Sequence, residues 1–158
     1  MVGPASVPFW PYKVFFVYIE PLGALLGAFL TGLRPDEYLH DLLDPFALPE
    51  TKTSTSAYAA LGLLANLWLL WSLNEYLVLS GTTELKTWRR LLTGLLVADI
   101  GHLIALGVYG GPGLYWQYWR WNALGWGNIA LAYLAASTRI CFLLGVGIDS
   151  RKERQKLA

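Results

Sequence analysis

The chain has a single cysteine, Cys141, and only 15% of its 158 residues are charged. One cysteine excludes an intramolecular disulfide framework and a cysteine-based metal site. So few charges cannot coat the surface of a soluble domain, where about a quarter of residues are charged. The 12 basic and 11 acidic side chains leave a net charge of +1, without the basic excess of a nucleic-acid binder. An apolar share of 55% excludes an intrinsically disordered chain. There is no internal repeat and no low-complexity tract. The cluster Tyr109-Gly110-Gly111-Pro112-Gly113 reads as a turn; it lacks the strand, the following helix and the lysine of a phosphate-binding loop. What the chain does have is long apolar runs, and the medium they suit is lipid.

Four runs reach the length of about 20 residues that crosses a hydrocarbon core of roughly 30 Å. They cover 14–33, 57–79, 91–109 and 123–148, and their charged or titratable residues are Glu20, Glu75, Asp99 with His102, and Arg139. Backbone groups in lipid must be satisfied within the chain, which helices achieve. The runs lack the period-two alternation of barrel strands. The expected fold is therefore all-α, a four-helix transmembrane bundle forming one integral membrane domain over 1–158. The first run is too long for a cleaved leader, contains Glu20 and Pro21, and is preceded by one basic residue, Lys13, so it reads as a retained span.

Basic residues set the expected orientation. Lys13, then Lys86, Arg89 and Arg90 in the second connector, and Arg151, Lys152, Arg154 and Lys156 in the tail fall on one side. Arg34, Lys52 and Arg120 fall on the other. Both termini are thus expected in the cytoplasm, in keeping with insertion into the endoplasmic reticulum. The first connector, 34–56, is punctuated by Pro35, Pro45 and Pro49, and 36–43 suits a short amphipathic helix on the far membrane surface. Tyr115, Trp116, Tyr118, Trp119 and Trp121 crowd the third connector and read as an interfacial aromatic belt, or as a lid over a hydrophobic ligand.

Ionisable groups inside spans need a partner, a cavity or water. Counted from the cytoplasmic helix ends, Asp99 and Arg139 sit at depths of about 12 and 14 Å, which pairs them as a structural lock or a ligand-orienting couple. Asp99 and His102 share a helix face, so the carboxylate can orient the imidazole as a general acid or base. Pro21 frees the carbonyl of Val17 and kinks the first helix beside Glu20. Gly23 and Gly27 follow on the same side, for close packing or for a cavity. Glu75 reads as near the boundary, within reach of Arg89 and Arg90, while Asn74 is directed inward. Gly125, Asn128, Ala132, Ala135 and Arg139 form an interior stripe on the fourth span. The candidate catalytic residues are Glu20, Asp99 and His102; the candidate ligand-binding residues are Asn74, Trp68, Trp71, Trp126, Asn128 and Arg139. With His40 in a connector and one histidine in the spans, no metal site and no cofactor is expected.

The run Phe15-Phe16-Val17-Tyr18-Ile19-Glu20-Pro21-Leu22, then Gly27-Ala28, then Arg34-Pro35-Asp36-Glu37-Tyr38-Leu39 resembles a small family of fungal four-span membrane proteins of unknown function. The resemblance covers nearly the whole chain. More distantly, the organisation is similar to the four-span superfamily of sterol delta-8,7 isomerases and the sigma-2 receptor. That resemblance implies an intramembrane cavity for sterol-like ligands, with Glu20 and Asp99 as its acids and Trp126 or Asn128 on its outer side. Tyr18 and Ile19 precede Glu20 where the isomerases carry a histidine.

Two functions follow. One is a membrane-embedded isomerase or cyclase acting by proton transfer on a sterol- or terpenoid-like substrate, with Trp68, Trp71 or Trp126 stabilising cationic character. The alternative is a non-catalytic lipid- or sterol-binding protein, or an assembly factor for membrane proteins. The partners expected are a lipophilic small molecule or membrane lipid, with a homo-oligomer or another membrane protein as the assembly partner, and no nucleic acid. A channel is disfavoured, since four short helices supply few pore-lining groups.

Overall fold

Apolar runs of this length fold as helices, and the computed structural model describes them over residues 10–43 and 53–148. Pro45, Pro49, Lys52 and the basic tail residues Arg151, Lys152, Arg154 and Lys156 lie outside the described residues. The architecture is all-α. Helix α1 is Trp10–Leu33, α2 is Pro35–Leu43, α3 is Thr55–Gly81 and α4 is Leu85–Gly110. Helix α5 covers 123–143 as Ala123–Gly125, a π turn Trp126–Ala130, and Leu131–Leu143.

The ends of these helices follow local chemistry. Arg34 leaves helical geometry at φ −133° and closes α1. Pro35 then opens α2, where its missing N–H costs nothing, and Asp36 and Glu37 complement the helix dipole. Ser54 caps α3 by accepting from the Ala57 N–H at 3.2 Å. Gly111, at φ 69°, ends α4 in a conformation that only glycine takes freely. Asn122 caps α5 by accepting from the Gly125 N–H at 2.8 Å.

Among the described residues, three helices are long and apolar enough to cross a membrane: α1, α3 and the Leu85–Val108 portion of α4. Their outer faces carry exposed Leu22, Leu33, Leu63, Leu67, Val97 and Val108, which a water-soluble surface would not present in such density. These features support a membrane-associated protein. Helix α5 does not reach the same apolarity, because Asn128 and Arg139 interrupt it.

The expected boundaries of the first, second and third runs shift outward, and the last helix stops five residues before 148. Helix α1 starts at Trp10 rather than 14, and α3 runs from Thr55 to Gly81 rather than 57–79. Helix α4 starts at Leu85 rather than 91, so Lys86, Arg89 and Arg90 ride on its first turns and the connector shrinks to 82–84. Helix α5 ends at Leu143 and continues as turns. Two π turns, Phe15–Ile19 and Trp126–Ala130, interrupt α1 and α5.

Packing is most extensive between α1 and α3 and between α4 and α5. Glycines let the first pair approach: a Cβ on Gly27 would meet the Trp68 ring at 3.3 Å, and one on Gly32 would meet the Ala65 methyl at 3.1 Å. The Ser72 hydroxyl donates to the Pro21 carbonyl at 2.8 Å, tying α3 to α1. At one end the two pairs share an aromatic core in which Phe16, Trp88, Leu92 and Phe142 are fully enclosed. Tyr12 meets Phe142 edge-on at 5.1 Å and donates to the Val146 carbonyl at 2.8 Å. At the other end α2 lies across the bundle. The Asn122 amide donates to the Asp41 carbonyl at 2.6 Å, and the Tyr58 hydroxyl donates to Asp36 at 2.5 Å.

Candidate functional site

Pro21 has no N–H to donate, and the chain absorbs the gap one turn earlier, as a π turn over Phe15–Ile19 closed by the Glu20 N–H on the Phe15 carbonyl. Glu20 follows directly and points inward, 6% exposed. It meets Arg139 of α5, whose guanidinium donates to Glu20 through one terminal nitrogen and to Asp99 through the other. Glu75 accepts a longer contact, 3.4 Å, from the nitrogen that serves Glu20. Phe16 and Trp71 flank the guanidinium, with its carbon 5.6 and 5.9 Å from their ring centres. Each long helix therefore contributes one member: Glu20 from α1, Glu75 from α3, Asp99 from α4 and Arg139 from α5. A planar donor fork is what satisfies several carboxyls at once.

Beyond this knot, toward α2, a cavity of about 290 Å³ opens between the two helix pairs. Its walls are mainly Gly23, Ala24, Leu26, Gly27 and Leu30 of α1 and Leu124, Gly127, Leu131, Ala132 and Ala135 of α5. Tyr38 and Asp41 of α2 close its outer end, and Trp68, Trp71, Asp99 and His102 line the far wall. Burial pushes the Tyr38 phenol up, and the polar side chains of Thr31 and Asn128 beside it offset part of that. His102 does not pair with Asp99. Its Nε2 faces the Asn128 backbone carbonyl at 3.3 Å, inside the second π turn, and its ring stands edge-on to Trp68 at 6.0 Å.

Four polar atoms of residues around the cavity are wholly enclosed, open neither to the surface nor to the cavity, and meet no partner in hydrogen-bond geometry: Glu20 Oε2, Trp68 Nε1, Trp71 Nε1 and Asn128 Nδ2. The Tyr38 phenol stands beside Asn128 without meeting Nδ2 in hydrogen-bond geometry.

The structure thus gathers Glu20, Asp99, His102, Trp68, Trp71 and Asn128 around one cavity. Arg139 lies behind its inner end, wholly enclosed by the knot. Asn74 is not inward: it is exposed on α3, because its neighbour Glu75 takes the buried face and successive helical residues point about 100° apart. Glu75 is likewise not a boundary residue beside Arg89 and Arg90, but 0% exposed against Arg139. Trp126 is half-exposed on the outside, edge-on to Trp121 at 5.2 Å. No member of the aromatic cluster over 115–121 lines the cavity, which removes the lid reading. Trp116, Tyr118 and Trp119 are exposed, while Tyr115 and Trp121 tie back to the Leu103 and Leu114 carbonyls at 2.9 Å. Sequence reasoning missed Tyr38, Asp41 and Gly127; the amphipathic pattern of 36–43 was the available signal for the first two. Among the described residues no cluster of His, Cys, Asp and Glu is arranged to hold a metal ion.

The profile of the family described as Domain of unknown function (DUF7704) matches residues 4–149. The chain belongs to this family. No curated protein and no solved structure matches it, and nothing ties it to the sterol isomerase and sigma-2 receptor superfamily. The DUF7704 match spans every described helix, including α2 over the cavity and the Arg139 knot.

Proposed function

We propose that this DUF7704 chain is a non-catalytic integral membrane protein that holds a lipophilic molecule between its two helix pairs. One observation supports it above the rest: an almost wholly apolar cavity, large enough for a small lipid-like molecule, whose inner wall contains acids already engaged by Arg139. Acids committed to a guanidinium serve as a lock. A proton-transfer centre would want Asp99 on His102, and that contact is not made among the described residues. In this reading the whole of 1–158 is one membrane domain. Helix α5 is the fourth crossing, its charge offset by three acids, and both termini face the cytoplasm of an endoplasmic-reticulum membrane.

The test uses Gly127, which lines the cavity and where a Cβ would meet nothing within 4 Å. The full chain purified in mild detergent is expected to retain a lipophilic molecule detectable by mass spectrometry. Gly127→Trp fills the space and is expected to lose it. Equal lipid content in both proteins would remove the proposal. Glycosylation acceptors placed in the connectors and at the termini test the orientation; modification of either terminus overturns it.

A proton-transfer isomerase or cyclase is the second reading, favoured by Glu20, Asp99 and His102 facing one cavity. Unchanged lipid profiles in a deletion strain complemented with Glu20→Gln or His102→Ala would exclude it.

A further inference from the structure

We propose that the occupant of the cavity is one acyl chain of a zwitterionic bilayer phospholipid, which enters sideways between α1 and α5 and leaves its headgroup outside. This deepens the cavity reading above and rests on it.

The residues around the cavity define a slit in its side. At the inner end α1 and α5 are held together: Arg139 engages Glu20, and Leu131 lies so close to Gly23 that a Cβ there would stand 3.0 Å from its methyl group. At the outer end Asn122, just before α5, donates to the Asp41 carbonyl of α2. Between these ties the two helices part. Gly27 faces Trp68 of α3, and a Cβ on Gly127 would meet nothing within 4 Å. Four residues both line the cavity and are exposed on the outside of the molecule: Leu26 on α1, Asp41 on α2, and Ala123 and Gly127 on α5. Leu26 is 58% exposed, on the side of α1 that also presents Leu22, Phe29 and Leu33, so the slit faces the same medium as the apolar outer surface. In a membrane-spanning bundle that medium is lipid.

Charge selects what passes through. The walls inside the slit are mainly apolar and suit hydrocarbon. The acids on the lining are Glu20, Asp41 and Asp99; no lysine or arginine lines the cavity among the described residues, and Arg139 behind it is already engaged. A fatty acid drawn in whole would therefore bring its carboxylate to a wall without a cation to meet it. A chain that enters from the side has no such need, because its head stays in the headgroup region. At the mouth the exposed head would meet Asp41, with Asp36 and Glu37 on the same helix, while Arg34 nearby pairs with Glu37 at 3.1 Å. That acidic end repels an anionic head and accepts a zwitterionic one that turns its ammonium toward Asp41. A space of about 290 Å³ takes part of one chain and leaves the second chain on the outer surface.

The experiment is photolabelling of the full chain in nanodiscs of phosphatidylcholine and phosphatidylglycerol. Trace probes carry a diazirine midway along one acyl chain of either phospholipid; a diazirine fatty acid and a diazirine sterol are the other two. Adducts are mapped by mass spectrometry, and labelling of the cavity wall at Trp68, Leu131 and Ala132 is taken relative to that of Leu63 and Leu67 on the outer face of α3. The phosphatidylcholine probe is expected to label the wall at least threefold more than the phosphatidylglycerol probe, and Asp41→Asn is expected to narrow that difference. Leu26→Trp and Ala123→Trp put bulk at the mouth from opposite helices and leave the inner walls alone, so each serves if the other does not fold. Either is expected to lower wall labelling at least threefold. Equal labelling by the two phospholipids, or wall labelling untouched by every mouth variant that folds, would overturn the proposal. Labelling of the wall by the fatty acid or the sterol alone would overturn it as well, while the cavity reading survives. No wall labelling by any of the four probes overturns both.

Discussion

Arg139 and Glu20 lie 119 positions apart in the chain and meet in a buried ion pair at the inner end of the cavity. Asp99 and Glu75 complete the arrangement, so a single guanidinium joins four helices. Such a group is dear to desolvate, and the gain comes from having every partner in place at once. Removing the cation while leaving three buried acids facing one another is the most damaging change available. Arg139→Met is expected to destabilise the fold by about 3–5 kcal/mol, read as loss of tryptophan fluorescence in a detergent-denaturation series. Glu75→Gln, which removes only the longest of the three contacts, is expected to cost the least of the acid replacements. A variant Arg139→Met as stable as the parent would show that the knot is not the lock described.

Asn122 acts at two places with one side chain. Its carbonyl oxygen caps α5 on the Gly125 N–H at 2.8 Å, and its amide donates to the Asp41 carbonyl of α2 at 2.6 Å. Asn122→Ala loses both and is expected to cost about 0.5–2 kcal/mol for the cap alone. Asn122→Asp keeps the cap and loses only the donor to α2. Hydrogen exchange should therefore quicken over Pro35–Leu43 in both variants, but at the start of α5 in Asn122→Ala only. Equal exchange in α2 across all three proteins would deny the amide any part in holding the cavity's outer end.

Much of this arrangement is legible in the sequence, because depth along a helix is a linear reading. Depth alone pairs Asp99 with Arg139, and their ion pair forms. Rotation about the helix is harder to read. Asn74 and Glu75 are adjacent, so whichever faces inward turns the other away, and an apolar helix such as α3 gives little amphipathic bias to decide between them. Glu75 escapes a boundary reading for a second reason: charge does not mark the helix end here, because α4 takes Lys86, Arg89 and Arg90 into its first turns. Sharing a face did not join Asp99 to His102, since a three-residue step permits contact without requiring it, and each found a different partner on α5. The π turn before Glu20 has a sequence cause in Pro21; the structure gives no equivalent cause for the one around Asn128.

Tyr38 gives the fold a pH limit at the alkaline end. Burial holds its phenol above the ordinary value of 10.0, so the unfolded chain releases this proton at a lower pH than the folded one. Above that value the unfolded state binds fewer protons, and stability falls as pH rises; below it the contribution is intact. Melting temperature is expected to drop more steeply for the parent than for Tyr38→Phe between about pH 9 and 11. Parallel slopes for the two proteins would show that Tyr38 does not stay buried against Thr31 and Asn128.

Gly107 is the position where a single methyl group has a predictable sign in two backgrounds. It lies near the end of α4, and a Cβ there would overlap the Tyr115 hydroxyl and ring edge. Tyr115 cannot yield freely, because its hydroxyl donates to the Leu103 carbonyl at 2.9 Å and holds the turn after α4 against the helix. Gly107→Ala in the native background is therefore expected to destabilise by about 1–3 kcal/mol, the usual cost of overpacking. In a Tyr115→Ala background the obstruction is gone, and the higher helix propensity of alanine is left to act, so the same substitution is expected to stabilise by up to about 1 kcal/mol. A double-mutant cycle on thermal stability reads the reversal directly. The same loss from Gly107→Ala in both backgrounds would mean that Tyr115 does not press on α4, and that its hydroxyl is not what folds the third connector back onto the bundle.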